Sequence, residues 1–343
     1  MYKDFGGIME QFDWVGIVNE AIVRRQEEGL SQKKHTALAG VSIPTMISFE
    51  KAETTISIEK VLAILDVVGM VAKPKISSDK LQAFATQANA KWFELTKKLD
   101  KDSLPAKHPY GYTSYAFRIH GQMRGIDHIV FYKILDDVAK TKYSGWSPFW
   151  IPTSDDIKPY VVDNQIIECW LGTKAKGDPF NLFTASTTDF WRASKEGYMY
   201  LQRGYQEDSN EDIAPKEIFD LTIPIRIAAE VICYAGRLAR ARAQNTEESS
   251  IELHVKYTGL QGRLLANWSD PASPFFDKKR VATSDIAEMS IKFDLNEICE
   301  PLHESVAKIV YRLLKELYTK FNFYELQYEF IEAKLKSVFS KQF

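Results

Sequence analysis

The sequence feature that most constrains the fold is the stretch SQKKHTALAGVSIPTMISFEKAE, residues 31–53. Ser31 is a suitable N-cap for a helix over residues 32–39, and Gly40 supplies the positive φ that commonly ends a helix. Ser42 then caps a second helix, and Pro44 falls in its first turn, where a missing N–H is tolerated. The stretch therefore predicts two short helices joined by a tight Gly-Val-Ser turn.

The apolar positions of this stretch predict which side of each helix is buried. The residues spaced to face inward, where the two helices cross, are Leu38, Val41, Met46, Ile47 and Phe49. The exposed front of the second helix is then formed by Ile43, Pro44, Thr45 and Ser48. A helix pair that presents the N-terminal end of its second helix outward has the shape that a DNA major groove accepts.

A longer pattern surrounds the two helices: Arg25, GLSQ at residues 29–32, GVS at residues 40–42, Ile47-Ser48 and Glu50. In these residues and their spacing the sequence resembles the lambda-repressor/Cro-like helix-turn-helix regulators, the XRE family. The resemblance implies an N-terminal all-α, lambda-repressor-like helix-turn-helix domain that binds double-stranded DNA. Four positions depart from the family pattern: His35 stands where the family has Leu, Thr36 where it has Ala, Ala52 where it has Gly, and Ile56 where it commonly has Pro.

The resemblance also implies roles for individual residues. Arg25 and Glu50 are expected to form an ion pair that ties the first helix of the domain to the recognition helix, and Gln32 is expected to contact a DNA phosphate. The base readers implied by the resemblance are Ser42, Ile43, Pro44, Thr45 and Ser48. With the nearby lysines included, the predicted DNA-binding set is Gln32, Lys33, Ser42, Ile43, Pro44, Thr45, Ser48 and Lys51. The front of the second helix offers no Arg, Gln or Asn for bidentate base recognition, so contacts with thymine methyls and DNA shape are expected to provide specificity.

Charge adds one constraint to the DNA-binding hypothesis. Basic residues outnumber acidic ones only slightly over residues 24–51. Because phosphate neutralisation supplies most non-specific affinity for DNA, a homodimer that doubles the contacts is expected.

The whole chain has the composition of a globular protein of two or three domains, with 343 residues, 26% charged residues and a formal net charge of −2. The scattered cysteines, Cys169, Cys233 and Cys299, match no C-x-x-C pattern. They favour a reducing, cytoplasmic setting without a disulfide framework. No stretch approaches the length of apolar sequence that a membrane span needs, so no membrane association is expected.

The order of the patterns along the chain predicts four segments. Residues 1–14 form an N-terminal extension, residues 15–72 the helix-turn-helix domain, and residues 73–110 a linker with a connecting helix. In residues 111–343, strand-like stretches such as SIELHVKY are dispersed among helix-like stretches such as IAAEVICYAGRLARARAQ. This alternation predicts a C-terminal mixed α+β domain.

No motif for catalysis or metal binding is recognised. The sequence has no G-x-x-x-x-G-K-[ST], H-E-x-x-H or G-x-S-x-G, and its histidines do not fall at metal-ligand spacings. His303 and Glu304 are interpreted as a solvated pair. The sequence therefore predicts no catalytic residues, no metal and no cofactor.

Aromatic residues concentrate between residues 143 and 205, with arginines among them. Aromatic faces beside arginines suit a planar or anionic ligand, such as a nucleotide or another small effector. The candidate pocket consists of Trp146, Trp150, Trp191, Arg192 and Arg203. The alternative is that these rings build the core of the α+β domain, which would then dimerise without sensing a ligand.

A second, weaker resemblance covers part of this region. The runs GWSPFWIP, DFWRAS and LQRGYQED, followed by FDLTIPI, are similar to a domain found behind DNA-binding modules in bacterial proteins, some with divergent Schlafen/AlbA-type domains. No residue roles follow from it.

Together these features favour a bacterial, cytoplasmic transcription regulator, a repressor, that binds a palindromic operator as a homodimer. Its C-terminal domain would dimerise and sense a small-molecule or nucleotide effector. One alternative is a nucleotide- or nucleic-acid-processing defence effector that is autoregulated through its helix-turn-helix. Another is an antitoxin-like module whose C-terminal domain binds a protein partner.

Overall fold

The structure is a computed structural model that describes residues 13–71, 79–97, 110–172, 189–210, 212–270, 279–324 and 326–340. The chain divides into two compact units, Met1–Pro74 and Lys75–Phe343. Helices and a large antiparallel sheet make it a mixed α/β protein. Of the predicted N-terminal extension, residues 1–12 lie outside the described residues, and the first helix begins at Trp14.

The described part of the first unit contains the helices α1 (Trp14–Glu27), α2 (Gln32–Leu38), α3 (Ile43–Glu50) and α4 (Ile58–Val67). The Ser31 hydroxyl accepts a hydrogen bond from the backbone N–H of Lys34 at the start of α2. The Ser42 hydroxyl does the same for the N–H of Thr45 at the start of α3. Between the two helices Gly40 has a φ of +65°, which glycine adopts without steric cost.

One hydrophobic core joins α1, α3 and α4. Its buried side chains are Val18, Ala21, Met46, Phe49, Val61, Ile64, Leu65 and Val68. Trp14 packs edge-on against Phe49 with ring centroids 5.7 Å apart, and its indole N–H donates to the carbonyl oxygen of Ala52 at 2.8 Å. These contacts hold the C-terminal end of α3 against the start of α1.

The second unit is built on a seven-stranded sheet in the order β2-β3-β4-β5-β1-β7-β9, with every neighbouring pair antiparallel. The strands of this sheet are β1 (Tyr112–His120), β2 (Tyr160–Val161), β3 (Ile166–Trp170), β4 (Asp189–Ser194), β5 (Tyr198–Gly204), β7 (Ser250–Tyr257) and β9 (Ala287–Asp294). Two short strands, β6 (Ile218–Asp220) and β8 (Leu264–Ala266), pair in parallel. The second unit is therefore an α+β domain, as the sequence predicts.

Helix α5 (Asp79–Thr96) covers part of one face of this sheet. The side chains that form this interface are Leu81, Ala88 and Trp92 of the helix and Ala116, Trp170, Phe190, Tyr198 and Tyr200 of the sheet. The helix thus packs within the second unit, whereas the sequence analysis placed it in a connecting segment over residues 73–110. Apolar spacing predicts the helix but does not identify the surface on which it packs. Residues 72–78 and 98–109 lie outside the described residues.

The opposite face of the sheet carries a larger core, formed with α7 (Ile223–Arg242) and α8 (Leu302–Thr319). Phe149 lies between the two layers, with its ring centroid 5.9 Å from that of Phe117 in β1 and 4.5 Å from that of Tyr234 in α7. Two further helices, α6 (His128–Lys140) and α9 (Tyr328–Phe339), pack on α7 and α8. Within the described residues, none of the helices combines the length and hydrophobicity that crossing a membrane requires.

Candidate nucleic-acid interface

One carboxylate ties the C-terminal end of α3 to both preceding helices. Glu50 Oε1 lies 3.1 Å from Nη2 of Arg25, near the end of α1. Glu50 Oε2 accepts a hydrogen bond from Nε2 of Gln32, at the start of α2, at 2.6 Å. The Arg25 and Glu50 side chains expose only 12% and 20% of their surface, so water screens this ion pair less than a surface pair. α3 is therefore fixed at its C-terminal end.

The contact with Glu50 restricts what Gln32 can offer to DNA. The XRE resemblance implies that Gln32 contacts a phosphate, but one N–H of its side-chain amide is already donated to Glu50. A phosphate contact would use the second N–H of the same amide. Gln32 would then link the DNA backbone to the ion pair that orients α3.

The outward side of α3 is mostly apolar. Ile43 and Ile47 lie one helical turn apart and expose 52% and 40% of their surface, with Pro44 exposed beside them. Met46 and Phe49 are buried on the opposite side. The prediction that Ile47 faces the core is wrong, because residues four apart share a helix face and Ile47 therefore follows Ile43. That i, i+4 relation is the sequence signal that was missed.

The hydroxyl groups of α3 are partly occupied within the helix itself. Ser42 Oγ accepts the N–H of Thr45 at 3.3 Å and lies 2.8 Å from Thr45 Oγ1. Ser42 therefore serves as the helix cap, and Thr45 and Ser48 are only partly exposed. Of the residues implied to read bases, Ser42, Ile43 and Pro44 are exposed, and the Ser42 hydroxyl is already engaged in capping the helix.

Within residues 13–71, two exposed lysines lie next to α2 and α3. Lys33, in the first turn of α2, and Lys51, directly after α3, are exposed. Arg24 forms an ion pair with Glu20 at 2.7 Å, and Arg25 is paired with Glu50. Neutralisation of DNA phosphates would therefore depend mainly on the two lysines.

His35 is a core residue of the first unit and lies away from the outward side of α3. It is buried in α2, and its Nε2 lies 2.9 Å from the carbonyl oxygen of Ile64 in α4. Because a carbonyl oxygen only accepts, Nε2 must carry the proton in this contact. His35 thus joins α2 to α4, where the XRE pattern has an apolar Leu.

The five residues of the candidate effector pocket do not meet in one cavity. Trp191 and Arg192 are neighbours on β4, and successive side chains of a strand point to opposite faces. Trp191 packs towards Phe149, with ring centroids 6.5 Å apart. On the face covered by α5, Arg192 Nε donates to Glu168 Oε1 at 2.6 Å, and the guanidinium lies 5.8 Å from the ring centroid of Phe84. Arg192 therefore belongs to a different layer of the domain.

Trp146 and Arg203 do meet, but in a filled interior. The Arg203 guanidinium lies 4.4 Å from the ring centroid of Trp146, and its Nε lies 3.1 Å from Oδ1 of buried Asp189. Burial raises the pKa of Asp189 to about 6, although Arg203 favours the ionised carboxylate. The cavity beside Arg203 measures about 20 Å³, far below the 300–1,000 Å³ typical of small-molecule sites. These side chains build a core, which is the alternative that the sequence left open.

Trp150 completes the set without forming a pocket. Its carbonyl oxygen accepts the indole N–H of Trp191 at 2.9 Å, and its own side chain is 42% exposed. The segment that contains Trp150 is thereby fastened to β4. The Trp150 side chain lies at the surface, apart from the contact between Trp146 and Arg203.

One metal-ligand group occurs within the described residues. His303 and Glu304 of α8 and Glu332 of α9 bring one ligand atom each within 4.8 Å of one another. From sequence, His303 and Glu304 are interpreted as a solvated pair, and their spacing gives no sign of Glu332, which lies on the next helix. The Glu304 side chain is 50% exposed, so water can hydrate this group without an ion. Proximity alone does not make it a metal site.

No protein-family model, no curated protein and no solved structure matches this chain. What the interface can do therefore follows from its own chemistry. The outward side of α3 offers methyl groups, one partly exposed threonine hydroxyl and nearby lysines. These groups suit contact with base edges and phosphates, and they lack a general acid or base.

Proposed function

We propose that this chain is a sequence-specific DNA-binding regulator of transcription, a repressor, in which α2 and α3 form a helix-turn-helix and α3 enters the major groove. The observation that carries the proposal is the way in which α3 is held by the preceding helices. Glu50 fixes its C-terminal end to Arg25 and Gln32, while Ile43 and Pro44 project from its N-terminal half. The XRE resemblance of the same residues supports it. A single helix presented in this way fits a major groove about 12 Å wide.

We propose that α3 reads DNA through apolar contact and DNA shape. Ile43 and Ile47 carry methyl groups that pack against the C5-methyl of thymine, and the Thr45 hydroxyl serves either as donor or as acceptor. Base pairs that the helix does not touch contribute through their deformability. This mode is expected to give a site rich in A·T pairs at the positions beneath α3.

The active form is proposed to be a cytoplasmic homodimer on a palindromic operator. Lys33 and Lys51 supply few phosphate contacts per copy, so two copies are needed for useful affinity at physiological salt. The second unit is proposed to dimerise and to sense a small effector. Binding of that effector alters DNA affinity only if it favours one conformation of the dimer over another.

Footprinting of the full chain on DNA upstream of its own gene tests the proposal. We expect protection of two half-sites whose centres lie about one helical turn, roughly 10 base pairs, apart. Ile43→Glu should abolish the footprint, because it places a carboxylate on the outward side of α3 against the phosphates. Ile58→Glu is the matched control, because Ile58 is a 70% exposed isoleucine in the first turn of α4.

Two results would count against DNA recognition by α3. The first is the absence of any protected sequence at low salt, where phosphate contacts are strongest. The second is an equal effect of the glutamate substitutions in α3 and α4, which would indicate a general response to negative charge.

A further inference from the structure

A cavity of about 490 Å³ opens in the second unit, at the start of α7. Its walls come from the loop after α6, the loop after β8, and α9. The residues that line it include Tyr143, Thr222, Arg226, Asp270, Phe330 and Lys334. This volume lies within the range of small-molecule sites, unlike the 20 Å³ cavity beside Arg203.

Arg226 is a cation that lines this cavity and has no carboxylate partner within the described residues. The Arg226 side chain is half-buried, its Nε is fully buried, and within the described part of the chain no residue accepts a hydrogen bond from that Nε. The other cation, Lys334, is already paired with Asp270, and its Nζ lies 5.3 Å from the ring centroid of Phe330. Arg226 lines the cavity and forms no ion pair within the described residues, so an anion that enters the cavity would supply a charge partner for its guanidinium.

The walls around Arg226 are held in place by buried carboxylates. One turn further along α7, Glu230 Oε1 accepts the backbone N–H groups of Tyr143 at 2.7 Å and of Ser144 at 2.5 Å. On the other side, Asp220 accepts the N–H groups of Thr222 and Ser269, each at 2.7 Å. The cavity walls at Tyr143, Ser144 and Ser269 are therefore held in place without a ligand, which reduces the entropy cost of binding.

We infer that this cavity binds a small molecule that carries a phosphate or carboxylate beside an aromatic ring. The planar fork of Arg226 matches such an anion, and the rings of Tyr143 and Phe330 offer flat walls for the aromatic part. The effector site thus lies at the start of α7 instead of in the aromatic cluster of Trp146 and Arg203. The inference does not depend on DNA binding by the first unit.

Titration of the full chain with phenyl phosphate and with benzoate tests the site and separates the two anions. We expect saturable binding of at least one probe, with an affinity that falls tenfold or more in Arg226→Gln, because a charged hydrogen-bonding group is lost. Lys336→Gln is the control, because Lys336 is exposed on α9 and does not line the cavity. This variant should bind the probes with the affinity of the parent chain.

The same variants distinguish a ligand-binding arginine from a structural one. Because the Arg226 Nε has no acceptor within the described residues, Arg226→Gln should keep or raise the melting temperature of the unliganded chain. The inference is contradicted if neither probe saturates at concentrations up to about 10 mM. It is also contradicted if Arg226→Gln binds as tightly as the parent or melts several degrees lower.

Strand β9 lies at one edge of the seven-stranded sheet. The N–H of Leu295 donates to the carbonyl oxygen of Ser249 at 2.9 Å and continues the register between β7 and β9. By the alternation of antiparallel pairing, the backbone groups of Glu288, Ser290 and Lys292 therefore point away from β7. Among the described strands, β9 has one neighbour in the sheet, β7.

Two copies of β9 are complementary in one antiparallel register. With Ser290 on the twofold axis, Glu288 of each copy lies opposite Lys292 of the other, and the outward backbone groups of both strands meet. On the buried side of the sheet, Met289 then lies opposite Ile291. In the register that pairs Glu288 with Asp294, two carboxylates would face each other, which is destabilising.

We propose that two copies of this chain pair through β9 to form one continuous sheet. The Glu288 carboxylate bonds Lys256 of its own copy at 2.6 Å, and its side chain remains 43% exposed. This pairing would supply the homodimer that the proposed function requires, and cross-strand ion pairs would select its register.

Sedimentation of the full chain tests this surface through charge reversal. Glu288→Lys and Lys292→Glu should each be monomeric, because each homodimer would set like charges opposite one another. An equimolar mixture of the two variants should form a heterodimer, because every lysine then faces a glutamate. Lys336→Glu, at an exposed position of α9, controls for the change in net charge, and this variant should dimerise as the parent does.

Two sedimentation results would contradict pairing through β9. One is a parent chain that stays monomeric at about 100 µM, a concentration well above the dissociation constants of specific dimers. The other is a dimer that persists in both single variants. That second result would exclude this surface but leave dimerisation and DNA binding by another route intact, so the two proposals fail separately.

Discussion

At the scale of single residues, the proposed function assigns contacts with bases to the outward side of α3 and contacts with phosphates to the lysines beside it. Ile47→Ala removes exposed methyl groups without opening the core, because the buried side of α3 is formed by Met46 and Phe49. We expect this change to alter the preference at one base pair of each half-site by about 1 kcal/mol. Binding measured on operators with single base-pair changes would reveal it.

Lys33→Gln should behave differently from Ile47→Ala. We expect it to weaken binding to all operators alike and to reduce the slope of log affinity against log salt by about 2 in a homodimer, one phosphate per copy. Equal effects of the two substitutions on sequence preference would contradict this division of roles.

Ala52 is a residue of the first unit whose backbone conformation opposes its side chain. It has a φ of +55°, in the left-handed region, at a position where the XRE pattern has glycine. Ala52→Gly should raise the free energy of unfolding of this unit by about 1 kcal/mol. Ala63→Gly, the same change inside α4, should lower it by about 1 kcal/mol. Amide hydrogen exchange in α1–α4 would measure both, and two changes of the same sign would exclude strain at Ala52.

Glu207 predicts how the stability of the second unit depends on pH. It is buried, Oε1 accepts the N–H of Asp220 at 2.7 Å, and Oε2 has no hydrogen-bond partner within the described residues. Burial raises the pKa of Glu207 from 4.5 to about 7. The native state therefore holds this proton more tightly than the unfolded state. The stabilisation is complete below pH 4.5 and is lost as the pH rises through 7.

Glu207→Gln should remove this loss of stability, because glutamine keeps the shape of the protonated acid. We expect the variant to be more stable than the parent at pH 8, by up to about 3 kcal/mol, and nearly equal to it at pH 5. Glu248→Gln changes an exposed carboxylate and should show no such difference between the two pH values. A pH-independent effect of Glu207→Gln in urea unfolding would contradict this account.

At the scale of elements, the Glu50 carboxylate decides how firmly α3 is held. Arg25→Met leaves that carboxylate partly buried without its cation, and should destabilise the first unit by about 2 kcal/mol. The double variant Arg25→Met with Glu50→Met should regain most of this loss, since no charge is left unpaired. Hydrogen exchange in α3 would follow both, and additive losses in the double variant would show that the pair does not couple the helices.

The helices of the first unit were predictable because their signals are local. Ser31 and Ser42 accept the capping hydrogen bonds expected of them, and Gly40 adopts the positive φ that ends a helix. The orientation of α3 was less predictable. An eight-residue helix has few apolar positions, and Ile47 was assigned to the wrong side because hydrophobicity alone does not distinguish a core residue from an exposed one.

The effector pocket was mispredicted for a physical reason that the sequence already contained. DFWRAS was recognised as a strand, and a strand sends Trp191 and Arg192 to opposite faces. Trp191 and Arg192 are adjacent in this strand, so their side chains cannot line the same pocket. The cavity lined by Arg226 and Lys334 could not be inferred in this way, because these residues meet only after α9 packs beside the start of α7.

At the scale of the whole molecule, each unit has its own core and contributes its own chemistry. The first presents an exposed short helix, and the second has an α+β core with a ligand-sized cavity. The proposed regulator couples the two through the dimer. Effector binding at Arg226 is expected to change operator affinity only in the intact chain, where both units are present.

The most direct test of the central claim is selection of DNA by the full chain from a random double-stranded pool, followed by sequencing. We expect enrichment of a twofold-symmetric motif with half-sites about 10 base pairs apart and A·T pairs beneath α3. Ile58→Glu should select the same motif, whereas Ile43→Glu should select none. Recovered sequences that stay as random as the starting pool at low salt, or the same motif selected by Ile43→Glu, would contradict DNA recognition by α3.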